Sequence, residues 1–133
     1  MKYYIIDTVA LARYLEDILP KKVDKIFEDA ENGQCVLWLP HIVIGEFIYI
    51  ALKGRLKVLD PITTIRETLT MINTESFIEC IDLDMECWEK FLDIDIKELH
   101  DRMICSLAIT RNVPVITNDE KIQENKDVKS IWK

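Results

Sequence analysis

Four carboxylates in this chain sit where α/β proteins concentrate their chemistry. Asp7 ends the apolar run Tyr3-Tyr4-Ile5-Ile6, and Asp119 follows the run Val113-Pro114-Val115-Ile116-Thr117 by one residue. Both runs read as strands, so both aspartates stand just beyond a strand's carboxyl end, where open parallel sheets bind ligands. Each would equally serve as the N-cap of the next helix. Glu46 has Val43 at i−3 and Ile50 at i+4, with Phe47 beside it. That spacing puts it on the apolar stripe of a helix rather than its polar face. An unpaired charge there is costly, so an arginine, a lysine or a metal is expected as its partner. A structural salt bridge or a place at the stripe's edge would also account for it. Asp101 lies in line with Ile104, Cys105 and Ala108, near the positive end of a helix, where first-turn acids are common.

Four carboxylates converging on one crevice repel one another and raise each other's pKa values. A hard divalent cation removes that conflict. Mg²⁺ prefers oxygen ligands and keeps several waters, so one or two carboxylates per ion suffice. Four could hold or orient two ions roughly 4 Å apart, the arrangement that clamps the attacking and leaving oxygens of a phosphodiester. Rival chemistries find little support. His41 and His100 have no identifiable serine or cysteine partner. Gly33, Gly45 and Gly54 are scattered, without the spacing of a phosphate-cradling loop. Cys35, Cys80, Cys87 and Cys105 form no CxxC pair, and neither histidine falls at zinc-ligand spacing from them. Buried thiols are therefore expected rather than disulfides.

The elements that must position these acids alternate between strand and helix. Strands are predicted at Lys2–Ile6, Cys35–Leu39, Phe77–Ile81 and Val113–Thr117, with a short last one at Lys129–Trp132. The unalternated first run suits a central strand covered on both faces. Helices are predicted over Thr8–Leu19 (stopped by Pro20), Val23–Ala30 (ended by Asn32-Gly33) and His41 to about Lys53 (started by Pro40, stopped by Gly54). Further helices follow Pro61 and span Asp84–Phe91 and Leu99–Thr110. The alternation means an α/β fold with a mostly parallel sheet of four or five strands flanked by helices.

With 133 residues, one domain covering 1–133 is the natural count. The chain is too apolar for disorder and has no uncharged run long enough for a membrane span. It begins without a secretory leader, so a cytoplasmic place is expected. Its net charge of −7 gives it no general attraction for nucleic acid. Binding RNA would need local basic patches or metal ions that offset the carboxylates. Lys53-Gly54-Arg55-Leu56-Lys57 is the one dense basic cluster, in a loop beyond the Glu46 helix; Arg13, Arg102 and Arg111 are other cations. A solvated loop accounts for the cluster equally well. Trp88 and Trp132 are expected in the core.

Four segments resemble those of the PIN-domain nucleases, and within them the VapC-type toxins of toxin–antitoxin pairs. They are Tyr4-Ile5-Ile6-Asp7-Thr8-Val9-Ala10-Leu11, Pro40-His41-Ile42-Val43-Ile44-Gly45-Glu46-Phe47, His100-Asp101-Arg102-Met103-Ile104-Cys105-Ser106-Leu107-Ala108 and Val115-Ile116-Thr117-Asn118-Asp119. Each alone is weak, but the four in order span nearly the whole chain. The resemblance implies that Asp7, Glu46, Asp101 and Asp119 bind metal and carry catalysis, supported by Thr117 and Asn118. It implies Mg²⁺- or Mn²⁺-dependent cleavage of RNA by activated water, a homodimer, and a cognate antitoxin that occludes the site. Lys53, Arg55, Lys57 and Arg102 are then the candidate RNA contacts. Many members carry Ser or Asn two residues after the first aspartate, where this chain has Val9. A non-catalytic PIN-like binding module with a structural cation is the alternative. A phosphoacceptor domain is disfavoured, because no lysine follows a late strand and Glu46 lies mid-helix.

Overall fold

The computed structural model describes all 133 residues. Five parallel strands form one sheet: β1 (Lys2–Ile6), β2 (Cys35–Pro40), β3 (Ile78–Ile81), β4 (Val115–Ile116) and β5 (Ser130–Ile131). Their spatial order is β3-β2-β1-β4-β5. Seven helices flank the sheet: α1 (Thr8–Leu15), α2 (Lys21–Glu31), α3 (His41–Leu52), α4 (Pro61–Thr74), α5 (Met85–Phe91), α6 (Leu99–Arg111) and α7 (Glu120–Glu124). The expected α/β class and central first strand are as found.

Strand order changes direction between β1 and β4, where Ile5 pairs with Val115 and Ile6 with Ile116. That switch point opens a crevice at the strands' carboxyl ends. Ile5, Ile6, Leu37, Leu39, Val115 and Ile116 are wholly buried beneath it. On α3 the buried row is Val43, Phe47 and Ala51, so the helix grips the core by residues four apart. Truncating Phe47 to alanine would cost about 3–5 kcal/mol.

Two boundaries differ from expectation for local reasons. Helix α1 stops at Leu15, well before Pro20. Asp17 adopts φ +58°, its amide donates to the Tyr14 carbonyl, and the Ile18 amide donates to the Arg13 carbonyl. An aspartate thus performs the left-handed stop normally given to glycine. Strand β4 is shorter than Val113–Thr117 because Pro114 has no N–H and the Val113 amide closes the end of α6 on the Ala108 carbonyl. Gly54, with φ +72°, does end α3: its amide bonds the Ala51 carbonyl, and the Arg55 amide bonds that of Ile50.

All four cysteines are free thiols; three are buried and Cys80 is exposed. Trp132 is in the core, but Trp88 is partly exposed against Phe91. The expectation that both tryptophans are buried fails for Trp88, because α5 packs through Cys87 instead. No helix is long and apolar enough to cross a membrane.

Candidate active site

Asp7 leaves β1 at the switch point and is 6% exposed. Its two oxygens have separate partners. Oδ1 accepts the Ala10 amide at 2.9 Å and so caps α1. Oδ2 accepts the Thr117 hydroxyl, whose oxygen also accepts the Asp119 amide at 3.0 Å. Thr117 is completely buried and ties the ends of β1 and β4 together. Asp119 in turn caps α7 through the Ile122 amide at 2.9 Å. Capping and the shared crevice are therefore not alternatives: each aspartate does both.

Glu46 flanks the Val43–Phe47 row rather than lying inside it, and its side chain is 28% exposed. Its expected basic partner is neither arginine nor lysine. Oε1 accepts the Thr8 hydroxyl at 2.8 Å, and Oε2 lies 2.6 Å from His100 Nδ1. Glu98 Oε1 approaches the same ring nitrogen at 3.5 Å. Ligand atoms of Glu46, Glu98 and His100 all lie within 4.8 Å of one another. Glu98 also caps α6 by accepting the Asp101 amide at 2.7 Å, which sets Asp101 in the first turn.

Asp7, Glu46, Asp101 and Asp119 line one open cavity of about 320 Å³ together with Thr8, Val9, Ile50, Ile104 and Asn118. No lysine or arginine lines it. Val9 supplies an apolar wall to this cavity. A larger groove of about 740 Å³ lies elsewhere, between Lys21, Lys22, Lys25 and Lys133, and gathers no comparable donor set.

The electrostatics follow from this gathering. Burial pushes the Asp7 carboxyl up to about 6; the Thr117 and Ala10 bonds pull it down, and the charges of Asp119 and Glu46 push it up. Burial also raises Asp101, to about 7, reinforced by the charges of Asp119, Glu98 and Asp7. Beneath them the Cys105 thiol is pushed up to about 12, by burial and then by Asp101 and Asp119, so it is an inert neutral group. Oxygen-rich, short of positive charge and mutually repelling, the lining has the donor chemistry that suits a hard divalent cation.

Sequence reasoning missed Thr8, His100 and Glu98. Thr8 and His100 each adjoin a site aspartate, which was the available signal, but nothing local shows that both reach Glu46. Arg102 is placed differently from expectation. Its Nε donates to the Phe91 carbonyl at 2.8 Å, its Nη2 to Leu92 at 3.3 Å, and it lies over the Phe91 ring. It holds the end of α5 instead of standing free for RNA. Lys53, Arg55 and Lys57 are exposed in the loop after α3. Arg13 and Arg111 pair with Glu16 and Asp84.

A parallel α/β sheet with carboxylates gathered at its switch point defines the class. The sequence matches the PIN domain over residues 4–128, and the chain belongs to that family. Its fold is similar to a chain of VapBC2 from Rickettsia felis bound to a promoter DNA fragment (TM-score 0.72, 20% identity, 98% of this chain and 99% of that one). It is equally similar to a chain of DNA-bound VapBC from Salmonella typhimurium (TM-score 0.74, 19% identity, 98% of each chain). A toxin–antitoxin complex from Klebsiella pneumoniae follows (TM-score 0.64, 15% identity, 94% of each chain). No curated protein sequence matches.

Proposed function

We propose that this PIN domain is a metal-dependent endoribonuclease of the VapC toxin type. The observation that carries the reading is the cavity itself: Asp7, Glu46, Asp101 and Asp119, from four different elements, face one space that no lysine or arginine lines. PIN domains are a nuclease fold, and these donors suit Mg²⁺ or Mn²⁺.

The four acids would hold the ion, with Thr117 and Asn118 in support. A bound ion of this kind supplies charge neutralisation and an activated water for attack on a phosphodiester. The chain's own residues prepare the site. Thr117 orients Asp7, Thr8 and His100 orient Glu46, and Glu98 sets the turn that carries Asp101. The Asp7 and Glu46 carboxylates are thereby fixed before any ligand arrives, which lessens reorganisation in the reaction. Lys53, Arg55 and Lys57 are the cations available to RNA phosphates; Arg102 is occupied by α5. Similarity to chains of toxin–antitoxin complexes supports a cognate antitoxin that covers the pocket, and the toxin reading brings a homodimer with it. An antitoxin arginine directed at these carboxylates would compete with the ion.

The test is cleavage of a fluorescent single-stranded RNA by the purified protein in Mg²⁺ or Mn²⁺, with excess chelator as control. Asp7→Asn and Asp101→Asn are each expected to abolish cleavage and weaken Mn²⁺ broadening of pocket resonances. Cleavage that survives chelator, or metal affinity unchanged in both variants, would overturn the reading. Metal binding with no cleavage of any RNA would leave a PIN-like binding module.

A further inference from the structure

We infer that Glu16 is a positioning residue that locks the basic loop 53–57 beside the acid pocket, where it grips the RNA backbone next to the scissile phosphate. This rests on the ribonuclease reading.

Glu16 is among the best hidden carboxylates outside the pocket. Its side chain is 2% exposed, against 41% for its partner Arg13. Both oxygens are used: Oε1 accepts from Arg13 Nη1 at 2.6 Å, and Oε2 accepts the Lys57 backbone amide at 2.9 Å. The second contact joins segments 41 residues apart; the first stays within one turn of chain. Hiding a carboxylate is costly unless its partners are well placed, and here one partner is the loop's backbone. The chain also turns through the left-handed region at Asp17, immediately after Glu16. That turn ends α1 where Glu16 can face the loop.

The loop is held at two further points and tightened by a local turn. Leu56 is buried. The Arg55 amide bonds the Ile50 carbonyl at 3.1 Å, and the Val58 amide that of Leu56 at 2.9 Å. Ile50, in the last turn of α3, is a wall of the acid pocket, so the basic loop follows directly on the helix that walls it. With backbone and Leu56 held inward, Lys53, Arg55 and Lys57 are left exposed. Arg55 and Lys57 form no ion pair, and Lys53 rests over the Tyr49 ring at 4.2 Å. In a chain of net charge −7, ordered unpaired cations beside a carboxylate pocket are what a phosphate backbone needs in order to approach it.

The experiment compares wild type, Glu16→Ala and Glu16→Gln. Glutamine keeps an oxygen for the Lys57 amide; alanine removes it. In Glu16→Ala the Lys57 amide should exchange with solvent about tenfold faster, and KM for a single-stranded RNA should rise about tenfold, the scale of one lost charge-assisted hydrogen bond. Its kcat and its Mg²⁺ affinity by calorimetry should stay within about twofold of wild type, and Glu16→Gln should restore KM. Unchanged Lys57 exchange in Glu16→Ala would show that no clamp exists. Faster exchange with unchanged KM would show that loop order does not serve RNA. A parallel fall in kcat and Mg²⁺ affinity would reduce Glu16 to a fold-wide structural role. If the wild-type protein cleaves no RNA, the proposed function fails first and the RNA half of this inference fails with it; Lys57 exchange still decides the clamp.

Discussion

Replacing Asp7 with asparagine should make the metal-free protein more stable at neutral pH while removing the proposed ribonuclease activity. Folding hides Asp7 beside Asp119 and Glu46, and its carboxyl rises from 3.8 to about 6. A raised acid pKa means that the folded state holds the proton more tightly than the unfolded one. The stabilisation is complete below pH 3.8, fades as pH rises, and is gone above about 6. The rise corresponds to about 3 kcal/mol, at ~1.4 kcal/mol per tenfold. Asparagine carries no charge and keeps an oxygen for the Ala10 amide, so it escapes this loss. Asp101, itself raised in part by Asp7, relaxes as well and widens the difference. Urea unfolding in chelator should show the two proteins nearly equal near pH 4. Near pH 8 the variant should be ahead by up to about 3 kcal/mol, about 10 °C in Tm for a domain of this size. Excess Mg²⁺ should narrow or reverse the gap, since only wild type keeps the full donor set. A variant no more stable than wild type at pH 8 in chelator would refute the claim that hiding the Asp7 charge, with repulsion from Asp119 and Glu46 added, strains this pocket.

Two further outcomes separate roles that coincide in single residues. Asp119→Asn and Asp119→Ala should lower Mg²⁺ affinity alike in calorimetry. The alanine variant alone should lose about 1 kcal/mol more in denaturant unfolding, because only it gives up the cap on the Ile122 amide. Asp17→Gly should raise stability by about 0.5–1 kcal/mol in thermal melts, since glycine takes φ +58° without the side chain's steric cost.

The sequence alone determined the class of fold and the neighbourhood of the site. Short continuous apolar runs alternating with helical spacing read as strands of a parallel sheet, and acids just beyond their ends lie at the mouth of its crevice, whether or not they also cap a helix. Gly54 announced the end of α3 because no other residue takes its backbone so freely. The end of α1 was hidden, because Asp17 does the same work without glycine's signature. The tertiary structure alone decided the partnerships. Glu46 meets His100 across 54 residues, Glu16 meets the Lys57 amide across 41, and Thr117 meets Asp7 across 110. Periodicity reports which face of an element turns inward; it carries no information on which neighbour waits there. Arg102 shows the same limit: its charge was legible, but its engagement with the end of α5 depends on how two helices pack. Burial and pKa are likewise properties of the assembled crevice, because desolvation and repulsion act only after distant segments have been brought together.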